Sequence, residues 1–374
     1  MEEKKRVRKS LFRTPYFYLF CSGFLGLSLC VLAKTVPGFA DGYYEAVYRP
    51  VVGVLGTLTG LVPCSLAELF IVGAALLVLI WGIGAFRAVK RGEKSAKAAF
   101  GGVLTKALSV ASALFFLFSV FCGVNYYRES FAEKAGFSVE KTEISELYDL
   151  CAELIDEANE LSTILPHDEN GLTVYPESDF RMAKKAREEY QNLYKTYPFM
   201  AIGGNSFGTP KPVTASFVMS DLLISGVFSP YTLEANVCRE GPDFLRGATM
   251  MHEQSHLRGF MNEAEANFIA YLACEKSADP YFRYSGTMLS LLHSMNALYK
   301  ASPEKALELA FRYNERLHAD FAAQNAYVAE NKTVVSDVSD KVNDTYLKLN
   351  AVKDGVQSYG KMVDLLIAYR KTKT

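Results

Sequence analysis

Histidine is scarce in this chain, five residues among 374, so any cluster of histidines stands out against the background. Other absences narrow the field first. The seven cysteines, from Cys21 to Cys274, include no C-x-x-C pair, which excludes a thiolate zinc site and a disulfide framework. Cys238 and Cys274 are the pair that an oxidising compartment could still join. Net charge is −1, from 40 basic and 41 acidic residues, and no basic stripe is interleaved with aromatics, so nucleic acid is not an expected partner. The apolar runs hold almost no ionisable residues, which argues against a transporter pathway.

Apolar side chains, in contrast, make up half of the sequence while the charged fraction is an ordinary 22%. The excess is concentrated near the N-terminus. Residues 14–33, 69–86 and 107–127 are each long and apolar enough to cross a bilayer core as a helix. The first is longer than a cleavable signal core, which predicts that it is retained. Residues 50–67 are also uncharged but are broken by Gly53, Gly56, Gly60 and Pro63. Were they to cross, the basic segment from Arg87 to Lys106 would face outward, against the positive-inside rule. They are therefore expected to form a re-entrant or interfacial helix. Lys4, Lys5, Arg6, Arg8, Lys9 and Arg13 place the N-terminus in the cytoplasm by the same rule. The expectation is a multi-pass protein of the cell membrane, with a membrane domain over residues 1–127 and an extracytoplasmic domain over residues 128–374.

In residues 139–161 the apolar positions Ile144, Leu147, Leu150, Cys151, Leu154, Ile155, Ala158 and Leu161 recur at three and four, which predicts an amphipathic helix. Residues 180–197 predict a second. Beyond a glycine- and proline-rich stretch, residues 213–224 and 227–237 are rich in β-branched and aromatic side chains around Gly226, which predicts a small antiparallel sheet. Residues 281–299 and 303–317 read as helices, as does the polar stretch after His318. Asp354, Gly355, Tyr359 and Gly360 suggest a turn and a helix entry, without evident chemistry. The predicted fold class is a mainly α membrane protein, with three N-terminal transmembrane helices followed by an α-rich domain carrying that small antiparallel β-sheet.

The chemistry centres on His252, Glu253 and His256. The His-Glu-x-x-His spacing on a helix puts two imidazoles on one face, where both can bind one zinc ion, with a carboxylate beside it to act as general base. A straight helix would carry Glu263 roughly 10 Å beyond His256, so the chain must turn back. Gly259 can close the helix in the left-handed conformation, and Asn262 can cap a new one whose Glu265 completes a capping box. That leaves Glu263 as the expected third ligand, with Glu265 the alternative. Two nitrogens and one carboxylate describe a catalytic zinc sphere. The expected activity is hydrolysis of a peptide or protein substrate, Glu253 taking a proton from the attacking water. An edge strand carrying Phe228, Ser229, Tyr231 and Glu234 would pair with the extended substrate, and Tyr284, Arg283 and His293 are candidate donors to the oxyanion. The rival reading is a metal-stabilised sensor or scaffold that binds a peptide or cell-envelope partner without cleaving it. Glu253 discriminates, since a scaffold has little use for a carboxylate beside its metal.

The run from His252 to Gly259 resembles the metzincin peptidases, but Asn262 stands where those carry a third histidine. Glu263, Ala266, Asn267 and Phe268 form an E-x-x-A-N-F pattern similar to the glutamate helix of gluzincin-type peptidases such as the ImmA/IrrE class, whose first Glu binds zinc. More closely, the chain resembles the bacterial membrane family known as domain of unknown function 3810. The likeness is carried by the three apolar runs and by residues 226–237, 251–274, 284–286 and 343–365. What these resemblances imply is a membrane-anchored zincin-like domain with a Zn2+ cofactor.

Overall fold

The computed structural model describes residues 15–140, 142–333, 336 and 360–373. The basic residues before position 14, and Asp354, Gly355 and Tyr359, lie outside them. The chain divides into two units. One comprises Met1–Tyr48, Leu66–Arg128 and Pro230–Thr232, and the other Arg49–Ser65, Glu129–Ser229 and Leu233–Thr374.

In chain order the main helices are α1 (Pro15–Thr35), α2 (Arg49–Gly60), α3 (Leu66–Lys90), α4 (Ala96–Phe121), α5 (Ile144–Ile164), α6 (Asp179–Tyr190), α7 (Arg246–Leu257), α8 (Glu263–Glu275), α9 (Pro280–Ala301), α10 (Pro303–Ala310), α11 (Glu315–Asn331) and α12 (Lys361–Lys371). The strands are β1 (Lys211–Pro212), β2 (Gly226–Ser229) and β3 (Glu234–Val237).

In the first unit, Tyr16–Thr35, α3 and α4 are long and apolar enough to cross a membrane. No residue of α3 is buried although the helix is apolar all round, a pattern suited to hydrocarbon and not to water. Small residues bring α1 and α4 together: a Cβ on Gly23 would stand 3.1 Å from Ser112 Cβ, and one on Gly26 2.9 Å from Ser119 Oγ, the close approach that membrane helices favour. The third apolar helix starts eleven residues before the expected 107. Ser95 caps it, its hydroxyl accepting from Ala98 N at 3.3 Å. Lys106, taken from sequence as a flank, lies inside the helix because its ammonium rests over the rings of Trp81 and Tyr16, at 5.7 and 6.0 Å. The helix also stops at Phe121, and Gly123–Tyr127 form a 3-10 turn.

The second unit is helical with one small sheet. Its core gathers Phe131, Leu154, Phe244, Phe268, Tyr284 and Leu366. Glu143 opens α5 in a capping box with Glu146, so the helix begins after the expected 139. The predicted helix over 180–197 ends as α6 at Tyr190, with a separate turn at Leu193–Thr196. Likewise 303–317 is split, α10 closing at Ala310 and α11 opening on the Asn314 cap.

The sheet departs most from expectation. It has the order β1-β3-β2, with β2 antiparallel and β1 parallel to β3, so it is mixed and not purely antiparallel. Residues 213–224 are not a strand: Ser216–Asp221 form a helix. Its two buried serines, four apart on one face, explain this. Ser216 Oγ accepts from Arg239 N at 2.8 Å and Ser220 Oγ meets Tyr327 Oη at 2.8 Å, while β-branched content gave no hint of these partners.

Candidate metal centre

Helix α7 is almost wholly buried between α8, α9, the sheet and α6. Close approach begins at Gly247, where a Cβ would come within 3.1 Å of Phe282 and Ser285 Oγ. Ser285 Oγ also accepts from Ala248 N at 2.8 Å, satisfying a donor that the first turn leaves open. At the other end Gly259 takes a φ of 83°. Gly259 N then donates to His256 O at 2.8 Å and Phe260 N to Ser255 O at 3.2 Å, the paired bonds of a Schellman closure. Three residues later Asn262 Oδ1 accepts from Ala264 N and Glu265 N at 3.1 and 3.2 Å. The reversal foreseen at Gly259 therefore forms, and it opens α8 on Glu263.

This reversal brings three side chains together. His252 Nε2 lies 3.1 Å from Glu263 Oε2, and His256 Nε2 3.6 Å from Glu263 Oε1. The two imidazole centroids are 4.6 Å apart and nearly perpendicular, at 86°. Among the described residues, one ligand atom from each of His252, His256 and Glu263 falls within 4.8 Å of the others, a group able to hold a metal ion.

Each ring is oriented from behind. His252 Nδ1–H donates to Asn267 Oδ1 at 2.7 Å, and His256 Nδ1–H donates to the Phe260 carbonyl at 2.8 Å. With Nδ1 committed as donor, the neutral tautomer leaves the Nε2 lone pair facing the shared space, the arrangement that ligating histidines adopt. Asn267 also directs its amide nitrogen at His293 Nε2, 3.5 Å away.

The imidazoles and the carboxylate of the cluster shift one another's protonation. Burial opposes a charge on His256, but the Glu263 carboxylate outweighs it and pushes the imidazole up to about 9. Burial likewise works against the Glu263 carboxylate, and the charges of His256 and His252 override it, holding its pKa far below the ordinary value. A carboxylate that demands a cation between two imidazoles fits a divalent metal.

Glu253 is fully buried beside them, and burial raises its pKa, with His252 and His256 pulling the other way. Its Oε2 is buried with no hydrogen-bond partner among the described residues, an orphaned acceptor next to His252, His256 and Glu263 of the kind that a bound water would satisfy. The Phe228 backbone amide also favours the ionised form. A Cβ added to Gly226 would meet Glu253 Oε1 at 2.5 Å, so the first residue of β2 must lack a side chain for Glu253 to occupy its place. Glu265 points elsewhere: its carboxylate pairs with Lys361 Nζ at 3.0 Å in place of the reciprocal half of a capping box.

The remaining candidates scatter. Tyr284 is completely buried and donates to Asp320 Oδ2 at 2.7 Å, with Thr173 Oγ1 on the same oxygen at 2.8 Å. This is a core network and not part of the centre. Arg283 lies near Glu157, whose pKa burial raises and Glu275 raises further, with Arg283 among the groups that oppose the rise. His293, through Asn267, is the one of the three that reaches the centre, and burial lowers its pKa, reinforced by His252. Phe228 and Ser229 belong to β2. Its register with β3, with Cys238 N donating to Ser225 O at 2.8 Å, turns the backbone groups of Gly226 and Phe228 to the open edge. Tyr231 is in the turn after β2, stacked on Phe70 at 5.5 Å, and Glu234 is buried at the start of β3 beside Lys211. Of the four residues expected on one edge strand, only Phe228 and Ser229 lie on β2. Cys238 and Cys274 are separate buried thiols, Cys238 held near Ser216 and Ser220 and Cys274 against Gly286.

Three features of the centre escape a reading of the motif alone: Asn267, the Phe260 carbonyl and Gly226. Asn267 sits four residues after Glu263, one turn along the same helix face, and that spacing is the signal for it. Residues 43–367 match the family described as protein of unknown function (DUF3810). No curated protein and no solved structure matches the chain.

Proposed function

We propose that this chain, which belongs to the DUF3810 family, is a membrane-anchored zinc metallopeptidase whose catalytic domain lies outside the cytoplasm. The observation that carries the reading is the convergence of two rear-anchored imidazoles and the Glu263 carboxylate beside a buried, incompletely bonded Glu253. His252, His256 and Glu263 hold the ion. Bound there, zinc supplies Lewis acidity, lowering the pKa of water to about 7 and polarising the scissile carbonyl.

The chain's own groups do the rest. Glu253, kept dry, takes a proton from the attacking water and returns it to the leaving amine. A carboxylate whose pKa burial has raised is better matched to that exchange near neutral pH than an exposed one. With the Phe228 amide engaged by Glu253, the Gly226 backbone groups and the Phe228 carbonyl on the edge of β2 are the partners offered to an extended peptide. His293 is the one of the proposed oxyanion donors that reaches the cluster, through Asn267.

The test pairs metal analysis with turnover of a quenched fluorescent peptide library for wild type and Glu253→Gln in detergent-solubilised full-length protein. Stoichiometric zinc in both, with cleavage only in the wild type, supports the reading. Cleavage that persists in Glu253→Gln at the wild-type rate, or a wild type without metal, sinks it.

A further inference from the structure

Helix α2 is inside out by the standard of a water-soluble helix. Its buried face is Val52 and glycine: a Cβ on Gly53 would stand 3.3 Å from Gly203 N, one on Gly56 2.7 Å from the Phe207 ring, and one on Gly60 would strike the Ser206 carbonyl. Apart from Val52, its large aliphatic side chains face away, with Val51, Val54, Leu55 and Leu58 exposed, Val54 by 62% and Leu58 by 56%, and Leu61 beyond the helix by 68%. The spacing of three and four makes these one stripe. A helix in water does the reverse, turning its large apolar residues inward.

The polar groups of α2 behave as hydrocarbon requires. Thr57 Oγ1 donates to Gly53 O and accepts from Gly204 N at 2.9 Å, Ser206 Oγ donates to Thr57 O at 2.9 Å, and Thr59 Oγ1 donates to Gly56 O at 3.3 Å. Hydroxyls satisfied within the protein leave nothing on the outer face that needs water. Arg49, at the helix start, is its one charge, and its guanidinium donates to the Ala201 carbonyl at 3.1 Å, so it too is satisfied within the second unit. Sequence also ties the segment to the apolar helices: five residues separate Gly60 from Leu66, a tether of roughly 20 Å at full extension.

We propose that the Val51, Val54, Leu55 and Leu58 face of Arg49–Gly60 is a lipid-contact surface of the second unit, seated in the acyl layer of a phospholipid bilayer. This surface is independent of any peptidase activity. Its glycine face packs on residues 203–207, and Thr59 Oγ1 also approaches Leu233 O at 3.4 Å, directly before β3. The helix that meets lipid is thereby built into the sheet that supports Glu253.

The chain's single tryptophan, Trp81 in α3, makes a fluorescence test direct. Full-length protein is reconstituted in phosphatidylcholine vesicles with or without brominated acyl chains. Val54→Trp, Leu58→Trp and Phe311→Trp are each made in a Trp81→Phe background, Phe311 being an 88% exposed reference on the second unit. The expected result is quenching by brominated chains at positions 54 and 58 within about twofold of that of Trp81 in the parent, as for groups in the same hydrocarbon layer, with little quenching by aqueous iodide. Position 311 should show the opposite. Iodide quenching at 54 and 58 equal to that at 311 would place the face in water. Protection from both quenchers would mean that protein covers it. Either result overturns the proposal, as does a Trp81 that brominated lipid leaves unquenched. Should either variant fail to fold, the other, with Leu61→Trp, reads the same stripe.

Discussion

Gly226 and Glu253 fit each other as backbone and carboxylate, since a Cβ on the glycine would lie 2.5 Å from Glu253 Oε1 and 2.8 Å from its Cγ. Gly226→Ala is therefore expected to displace the carboxylate, lowering peptide turnover by roughly tenfold or more and costing about 1–3 kcal/mol by overpacking, while zinc content stays intact. Thermal melts, metal analysis and turnover on one preparation check this. Wild-type turnover in the alanine variant would mean that Glu253 has no fixed place.

Glu263 and Glu265 separate cleanly by partner. Glu263→Ala removes the carboxylate between the two imidazoles and should abolish stoichiometric zinc. Glu265→Ala breaks only the pair with Lys361, costing about 1 kcal/mol or less, and should leave zinc bound. Titration with a chromophoric chelator ranks the two. The reverse ranking would reassign the third ligand.

Asn267→Ala frees His252 Nδ1 from its 2.7 Å acceptor. Loss of such an anchor typically weakens metal binding 10–100-fold. His293→Ala, one residue further out, should weaken it less and show its effect in turnover. Equal metal affinity in Asn267→Ala and wild type would remove Asn267 from the centre.

A metal held by the His252 and His256 nitrogens would compete with protons for them. His256 is raised from an ordinary 6.5 to about 9 in the metal-free protein. Its contribution to stability is thus complete below pH 6.5 and is lost as pH climbs through 9. Glu263, lowered below its ordinary 4.5, contributes above that pH and loses its contribution only in strong acid. Glu253, raised from its ordinary 4.5 by burial, is held protonated in the fold, so its contribution is complete below 4.5 and declines as pH rises above that, adding to the loss toward pH 9. Chelator-treated protein should therefore melt highest between about pH 4.5 and 6.5 and lower toward pH 9, by linkage. Zinc affinity should run the other way, rising up to about tenfold per pH unit as the displaced proton leaves. A melting temperature that rises from pH 6.5 to 9 without metal would contradict the imidazolium–carboxylate cluster.

The site was legible where its information is local. Two histidines four apart, a glycine able to take positive φ and an asparagine able to cap are all decided within a dozen residues, and the reversal at Gly259 follows from them. Helix limits shifted where capping residues such as Ser95 and Glu143 outrank the apolar pattern. The predicted strand over 213–224 failed because the fate of Ser216 and Ser220 depends on Arg239 and Tyr327, far along the chain. Tyr284 looked available from its position after α8, yet its hydroxyl is committed to Asp320, 36 residues on. Distance in sequence hid these partners, and no periodicity encodes them.

The two histidines of the cluster are exposed to mutation in unequal ways. His252 leans on the side chain of Asn267, so one substitution there removes its support. His256 leans on the main-chain carbonyl of Phe260, an atom that every residue type possesses. Position 260 can therefore drift in identity without disturbing the ring, provided that the φ of 83° at Gly259 persists. Heritable damage to the His256 anchor has to act through the shape of the chain.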